Sequence, residues 1–308
     1  MQELPKVLYK YMPTTRISFF SVPKLRFSRP AEFNGRFDCR LRSMGLFSPQ
    51  AFMKKAEELF DEQFQLFLKL FVEKTPDLMR PIVAQAMTTT LVESLRRQFR
   101  HIYRDGSRQL APMAEQEQYR LGFISAINNA FNKARLGVLC LTKSSVNQIL
   151  WDRYAINDIG MGHCGFAIGF NTDNKFFDRR LHVKDLLRHL SPVSYQQDRP
   201  IPYFTDYLDK NDPDEIFFSD LLYTKDIGWS SEEEWRMAIC VPDDPKEKNF
   251  GLEDVPIEAI NSVYLGLQSK NDLSIAATSF CRRYNIPLFQ IKDDPLDCVF
   301  KPVVVPLS

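Results

Sequence analysis

The sequence has few of the features by which common enzyme classes are identified. It contains four histidines and 12 glycines in 308 residues. The motifs of P-loops, dinucleotide-binding turns, zinc proteases and serine hydrolases are all missing. The four histidines form no Cys/His motif with the spacing of zinc ligands, and two of them lie in predicted helices. We therefore expect neither a zinc centre nor a glycine-rich phosphate loop.

A large charge of one sign and long hydrophobic runs are also missing. Forty Lys and Arg residues against 39 Asp and Glu residues give a net charge of +1, which provides no global attraction to nucleic acid or anionic membranes. No apolar run approaches the roughly 18 residues of a membrane span, and the first residues do not resemble a signal peptide. The six cysteines form no C-x-x-C pair and are interpreted as reduced thiols. These absences predict a cytoplasmic, soluble protein without a membrane partner.

The chain does contain β-type and helical segments in a distinct order. Apolar runs typical of strands lie in residues 7–47 and from residue 137 onward, and they include the expected strands 7–9, 17–20 and 25–27. Between them, apolar residues at spacings of three and four predict helices from 48 to about 75, from 81 to a stop at 105–106, and from 114 to 134. A further helix is predicted at 182–190.

Strands and helices do not alternate regularly along the chain, which favours an α+β fold over a doubly wound sheet. The β-type segments on both sides of the helices are expected to form one domain. We therefore predict an α+β core from residues 1–47 and 136–308 and a helical insertion at 48–135.

The densest polar cluster is the run WSSEEEWR at 229–236, directly before an apolar strand. If this segment is extended, Glu232, Glu234 and Arg236 share one face. Two carboxylates on one face raise each other's pKa, and a neighbouring arginine lowers it. Such a pair suits the binding of ribose hydroxyls and the stabilisation of a developing cation. The alternative is a solvated charged turn before a strand.

Two further clusters combine aromatic and polar residues near predicted strand ends. One contains Trp151, Tyr154 and His163, which either line a pocket or pack into the core. The other places Lys10 beside Tyr11 on the first strand, where the alternative is an edge strand protected by lysine. Spacing alone does not decide between these alternatives.

In this order, the clusters resemble a bacterial family, domain-of-unknown-function family 2971. The matching segments are LYKY at 8–11, the run at 27–38, CLT at 140–142, WDRYA at 151–155, and the runs at 163–170 and 229–236. The resemblance covers most of the chain outside the helical insertion. Two loops depart from the family pattern. Gly35 and Arg36 follow Asn34, where the family has Asp-Pro. The stretch between Tyr154 and His163 is longer than in the family pattern.

A basic residue on the first strand, a Ser or Thr at a strand end and a late E-x-E also resemble the arginine–serine–glutamate class of ADP-ribosyltransferases. This resemblance implies a split β-sheet core with NAD as co-substrate. It implies Glu234 as the catalytic glutamate and Glu232 as its acceptor-side partner. The residues implied to bind the cofactor are Lys10, Tyr11, Thr142, Trp151, Tyr154, His163 and Arg236. Lys10 departs from the class, because lysine offers a point charge where arginine offers a bidentate fork. No metal is implied.

The resulting hypothesis is an NAD-dependent ADP-ribosyltransferase that modifies a macromolecule, protein or nucleic acid, as bacterial toxins and phage-defence effectors do. An antitoxin or a chaperone is the expected partner class. A second hypothesis is a non-catalytic nucleotide- or protein-binding module in a defence complex, which the phenylalanine-rich insertion suggests. A third is a nuclease in which the E-x-E pair holds Mg²⁺. The balanced charge and the lack of a third acidic residue at a recognisable spacing rank it last.

Overall fold

The computed structural model describes residues 3–33, 35, 38–39, 49–75, 79–80, 88–110, 112, 117–181, 185, 187–198, 213–241, 251–294 and 299–307. The chain forms two compact units. The first comprises Met1–Leu41, Asn128–Arg199 and Phe217–Ser308, and the second comprises Arg42–Ile127 and Pro200–Ile216. The second unit thus contains most of the segment predicted as an insertion, together with a later stretch of chain. The predicted boundary at 47–48 lies outside the described residues.

The described helices and strands have the following bounds. The α-helices are α1 (Pro49–Lys74), α2 (Thr89–Leu110), α3 (Glu117–Lys133), α4 (Gln148–Arg153), α5 (Pro213–Tyr223) and α6 (Asn271–Tyr284). The strands are β1 (Val7–Met12), β2 (Lys24–Arg26), β3 (Leu136–Thr142), β4 (Phe166–Asn171), β5 (Ser191–Pro192), β6 (Ser194–Gln196), β7 (Thr224–Asp226), β8 (Glu234–Cys240), β9 (Leu252–Asp254), β10 (Ile260–Leu265), β11 (Leu288–Asp294) and β12 (Val299–Val304). The mixture confirms the predicted α+β class. No described helix is both long and apolar enough to cross a membrane.

The first unit is built on an eight-stranded mixed sheet with the order β12-β11-β10-β4-β1-β3-β8-β5. Within it, β10 and β11 are parallel and the other neighbours are antiparallel. The pairs β2–β9 and β6–β7 form two small additional sheets. Sequence-distant segments therefore meet in the middle of the large sheet, where β1 lies between β4 and β3.

The two faces of the sheet differ because side chains alternate along each strand. On one face, Leu139 and Leu141 of β3 and Trp235 and Met237 of β8 belong to the main hydrophobic core, which also includes residues of α6. The intervening residues of β3 and β8 lie on the other face. There the register places Thr142 opposite Glu234 and Cys140 opposite Arg236. This alternation positions the polar residues of β8 for the site described below.

The sheet is open between β1 and β3. These strands share a single register pair, Tyr9 with Thr142. Farther along β3, Ser28 takes the place of β1 and forms an isolated bridge with Val138. The Lys10 ammonium spans the opening and donates to the Cys140 carbonyl at 2.9 Å. We call this opening the β1–β3 gap.

The second unit contains a stacked aromatic cluster. Phe60, Phe64 and Phe67 of α1 meet Phe99 and Tyr103 of α2, and the Phe67 and Phe99 ring centroids are 4.7 Å apart. Phe60 and Phe64 are almost fully buried. The spacing of three and four thus produces a packed helix face, as predicted for α1.

Three predicted elements differ from the structure. Residues 17–20 belong to a 3₁₀ helix, Thr14–Phe20, in which the consecutive Phe19 and Phe20 are both buried and both pack against Phe280 of α6. An apolar run of four residues does not by itself distinguish a strand from a buried helical turn. Helix α2 continues past the predicted stop to Leu110, and the predicted start at residue 81 lies outside the described residues. The described part of 182–190 is not helical, because Asp185 accepts hydrogen bonds from the Leu181 and Leu187 amides and forms a local turn.

Two glycine-to-alanine substitutions should have opposite effects on stability. At Gly165, a Cβ would collide with the Met12 carbonyl, a backbone atom that cannot move away easily. We expect Gly165→Ala to destabilise the fold by about 1–3 kcal/mol. In α2, a Cβ at Gly106 meets nothing within 4 Å, so Gly106→Ala should stabilise by about 0.8–1 kcal/mol. Urea unfolding tests both, and unchanged stability of Gly165→Ala would contradict the assigned close approach.

Candidate active site

Five charged side chains are buried together at the start of β8, and we call them the buried ion cluster. They are Asp38, Lys225, Glu232, Glu234 and Arg236, and none is more than 5% exposed. Three carboxylates thus face two cations. Charged groups are rarely buried unless they are paired, so this concentration requires close contacts among them.

Arg236 is the organising cation of the cluster. Its Nε lies 2.8 Å from Glu234 Oε1 and its Nη2 lies 3.2 Å from Glu234 Oε2, so the two side chains form a forked pair. Nη2 also contacts Asp38 Oδ1, and Nη1 donates to the Leu222 carbonyl at 2.8 Å. The pair forms because residues two apart on β8 share a face. The planar guanidinium suits such bidentate binding.

Lys225 joins the two glutamates. Its Nζ lies 2.6 Å from Glu232 Oε2 and 2.8 Å from Glu234 Oε2, with Asp38 Oδ2 at 3.7 Å. The sequence analysis did not identify Lys225 or Asp38 as site residues. Asp38 lies within the matched run 27–38, but Lys225 stands outside every motif and only the pairing of chain segments brings it here.

Glu232 reaches the cluster by a route that differs from the expected extended strand. Residues Ile227–Glu232 form a 3₁₀ helix, and Glu233 has a φ of 44° in the left-handed region. Strand β8 begins only at Glu234, so the expectation of an extended segment from Glu232 is wrong. The Thr142 hydroxyl donates to the Glu232 carbonyl at 2.6 Å and holds this turn against β3. The Glu232 side chain still meets that of Glu234 through Lys225.

The cluster keeps Glu234 and Lys225 charged. Burial by itself raises the pKa of Glu234, but the charges of Arg236 and Lys225 outweigh it and hold that pKa well below the usual value. Burial likewise lowers the pKa of Lys225, but the neighbouring Glu234 and Asp38 hold it above the usual value. Glu234 is therefore a fixed negative charge at neutral pH. It is suited to electrostatic stabilisation and unsuited to acid–base catalysis.

The depressed pKa of Glu234 predicts a pH-dependent stability. In the unfolded chain this carboxyl titrates near 4.5, so its contribution is fully present above that pH and is lost as the pH falls toward the lower pKa of the folded state. We expect the wild type to be more stable than Glu234→Gln above about pH 5, and the difference to narrow as the pH approaches about 3. Urea unfolding of both proteins from pH 3 to 7 measures this difference. A pH-independent difference would show that the carboxylate is not held ionised by the cluster.

A cleft of about 450 Å³ opens beside the cluster and the β1–β3 gap. It brings together six of the residues predicted for the site, namely Lys10, Tyr11, Thr142, Tyr154, Glu232 and Glu234. The Tyr154 hydroxyl donates to Glu232 Oε1 at 2.9 Å. Burial and the negative charge of Glu232 raise the pKa of this tyrosine, which therefore remains a neutral donor.

The other three predicted residues do not line the cleft. Trp151 is fully buried and packs edge-on against Tyr11, while its Nε1 donates to the Ser145 carbonyl at 3.0 Å. His163 stacks on Trp151, and its Nε2 lies 2.8 Å from Asp152 Oδ1. Arg236 is fully buried beneath Glu234. Trp151 thus follows the core-packing alternative, and Arg236 orients a carboxylate.

Two residues at the cleft went unassigned in the sequence. The Arg153 guanidinium lies 4.7 Å from the centroid of the Trp229 ring, and its Nη1 lies 3.8 Å from Glu232 Oε1. Both residues line the cleft. They lie inside the matched motifs WDRYA and WSSEEEWR, so the motifs could have identified them as candidate site residues. The sequence gives no indication that the two side chains contact each other, because that contact depends on the packing of α4 against the 3₁₀ helix Ile227–Glu232.

Two thiols near the cluster are unsuited to nucleophilic attack. Burial raises the pKa of both Cys39 and Cys140, so each remains a neutral thiol at neutral pH. Cys39 Sγ lies 3.0 Å from Arg236 Nη1 and contributes to the packing around that guanidinium. Among the residues that the structure describes, no group of His, Cys, Asp and Glu side chains is arranged to hold a metal ion.

Residues 150–237 match a family model described as a protein of unknown function (DUF2971). The matched segment runs from α4 into β8 and includes Tyr154, Lys225, Glu232, Glu234 and Arg236. It supports the resemblance to domain-of-unknown-function family 2971 and contains most of the buried ion cluster. Searches of curated proteins and of solved structures found no match to this chain.

Proposed function

We propose that this protein transfers ADP-ribose from NAD⁺ to a macromolecular acceptor. One observation carries the proposal: the carboxylates of Glu232 and Glu234 are held by Lys225 at the base of a cleft of about 450 Å³. The cleft volume lies within the range of about 300–1,000 Å³ that is typical of small-molecule sites. Its position at the β1–β3 gap agrees with the split sheet that such transferases use.

The proposed reaction needs a fixed negative charge. The bond between the nicotinamide nitrogen and ribose C1′ breaks, and nicotinamide leaves as a neutral molecule with the bonding electron pair. The ribose then carries a positive charge shared between C1′ and its ring oxygen. An acceptor atom attacks C1′ and loses a proton. A preorganised carboxylate stabilises the developing cation without having to reorganise during the reaction.

The cleft residues take separate roles in this proposal. Glu234 stabilises the ribose cation, and Glu232 positions the acceptor and takes up its proton. Tyr154 and Thr142 hold Glu232 through its side chain and its backbone, respectively. Lys10 contacts the diphosphate, since its bond to Cys140 uses only one of the three ammonium donors. We propose further that the protein acts as a toxin or phage-defence effector under control of an antitoxin or a chaperone.

A second candidate is a binding module without catalysis. The side-chain oxygens of both glutamates already accept hydrogen bonds from Lys225, Arg236 or Tyr154. Such saturation favours a rigid cleft floor that supports a ligand without taking part in a reaction. The module would bind a nucleotide or a protein in the same cleft.

The deciding experiment measures nicotinamide release from NAD⁺ by the purified protein, with and without bacterial lysate as a source of acceptor. Release that increases with lysate supports the transferase. Thermal stabilisation by NAD⁺ without release supports the binding module, and it should reach about 2.7 kcal/mol at a hundredfold excess over Kd. If NAD⁺ is neither cleaved to release nicotinamide nor able to stabilise the protein against heat, NAD⁺ is not the ligand in either proposal.

A further inference from the structure

The geometry points to a subsite for a planar cation, made by Trp229 and Glu232 and occupied in this structure by the protein's own Arg153. In this proposal the Arg153 side chain occupies the subsite in the absence of ligand, and a ligand that carries a planar group with a single positive charge displaces it. The inference concerns the same cleft as the proposed function, but it needs only binding and not transfer.

The first support is the geometry of the resident guanidinium. Arg153 lies 4.7 Å from the Trp229 ring centroid, well inside the 6 Å reach of a cation–π contact. Its Nη1 is 3.8 Å from Glu232 Oε1, which is too long for a hydrogen bond, and Tyr154 already donates to that oxygen. The arginine is thus attracted to the aromatic ring and to the carboxylate charge without being locked by a short bond.

The charge balance supplies a second support. The buried ion cluster holds three carboxylates and two cations, which leaves one negative charge uncompensated within it. Arg153 approaches Glu232 from the cleft side and compensates that charge. A cation from a ligand would compensate it equally well, so exchange of one planar cation for another preserves the balance.

Exposure shows why Arg153 can leave. Its side chain is 47% exposed, whereas that of Glu232 beside it is 6% exposed. Arg153 is the last residue of α4 and can swing into solvent while the helix stays in place. The helix itself is anchored, because Asn147 caps it and donates to the Ser231 carbonyl. The buried Lys225 ammonium also contacts both groups, at 5.0 Å from the Trp229 ring centroid and 2.6 Å from Glu232 Oε2. The ring and the carboxylate are therefore fixed in place, and Arg153 is the cation that can leave them.

Two sources supply a planar single charge to such a cleft. One is a quaternary pyridinium ring, as in the oxidised nicotinamide of the proposed co-substrate. The other is the guanidinium of an acceptor side chain, which has the same shape as the resident group. The small probes 1-methylnicotinamide and methylguanidinium represent these two sources, and neutral nicotinamide has the shape of the first without its charge.

The experiment titrates the three probes into the wild type, Arg153→Gln and Trp229→Leu by calorimetry, after circular dichroism has verified that each variant is folded. If the resident arginine occupies the subsite about nine-tenths of the time, its removal should tighten cation binding about tenfold. We expect this gain for at least one cationic probe and none for neutral nicotinamide. Trp229→Leu should lose binding of that same cationic probe. The cationic probe that binds Arg153→Gln more tightly than the wild type identifies whether the natural ligand group is a pyridinium ring or a guanidinium.

Arg283→Gln is the matched control, because Arg283 is exposed on α6 and stacks 5.2 Å from the Tyr284 ring outside the cleft. It should bind every probe as the wild type does. If Trp229→Leu does not fold, Arg153→Lys replaces it in the experiment. Lysine keeps the positive charge but lacks the planar group, so its gain in affinity for the cationic probe should be smaller than that of Arg153→Gln. Unchanged or weaker cation binding by Arg153→Gln, or an equal gain for neutral nicotinamide, would overturn the subsite. Either result leaves nicotinamide release from NAD⁺ as a separate test of the transferase.

Discussion

Glu234→Gln should lower nicotinamide release from NAD⁺ by about 10²–10³-fold, the loss that follows removal of one preorganised stabilising group from a transition state. The substitution retains the shape of the side chain and an oxygen that can accept from Lys225 or Arg236. It removes the negative charge that the ribose cation requires. The measurement is initial-rate release of nicotinamide, with each variant compared at the same concentration of folded protein.

Glu233→Gln is the control for this comparison. It removes the same charge one residue earlier, where the side chain is exposed and lies outside the cleft. We expect its rate to stay within about twofold of the wild type, because an exposed charge outside the cleft is screened by solvent. If Glu234→Gln retained wild-type turnover, the assignment of Glu234 as the stabilising carboxylate would be wrong, whatever the control showed.

Arg236→Met should destabilise the first unit by about 3–5 kcal/mol, the cost of breaking a buried ion pair from one side. The methionine fills much of the volume but leaves Glu234 and Asp38 without their guanidinium partner in a buried site. It also removes the donor to the Leu222 carbonyl. Urea unfolding near neutral pH measures the loss.

Arg26→Met provides the matched control for stability. Arg26 forms a 2.8 Å pair with Glu32, but both side chains are at least 40% exposed. Removal of such a pair should cost no more than about 1 kcal/mol. A similarly small loss for Arg236→Met would mean that the cluster tolerates an unpaired carboxylate, and would argue against charges held rigidly for electrostatic stabilisation.

Sequence patterns predicted the parts of the molecule that depend on local periodicity. The phenylalanine spacing in Pro49–Lys74 predicted α1, because residues three and four apart lie on one face of a helix wherever that helix packs. The first strand and the strand that follows the acidic run were predicted from their short runs of apolar residues. Local pattern was insufficient for Phe19 and Phe20, because a short apolar run is compatible with a buried strand and with a helical turn, and here it forms a 3₁₀ helix.

The candidate site was predicted only in part. Glu232, Glu234 and Arg236 were identified because they stand close together in one dense polar run. Lys225 was missed, since a single lysine outside any motif carries no signal until strand pairing places its ammonium between two carboxylates. Trp151 and His163 were assigned to the site by the resemblance to the transferase class, but Trp151 points into the core while the Tyr154 hydroxyl reaches Glu232.

The amino-acid sequence by itself thus determined the α+β class, the aromatic face of α1 and the identity of the acidic pair at the start of β8. These follow from spacing along the chain, which fixes the face on which a side chain lies. Only the tertiary structure decided that the pair is neutralised by Lys225 and Arg236, that it faces the β1–β3 gap, and that Arg153 rests on Trp229. The contacts within the buried ion cluster join residues up to 198 positions apart, as in the pair of Asp38 with Arg236. They exist because backbone pairing brings distant segments together and because buried charges are stable only beside opposite charges.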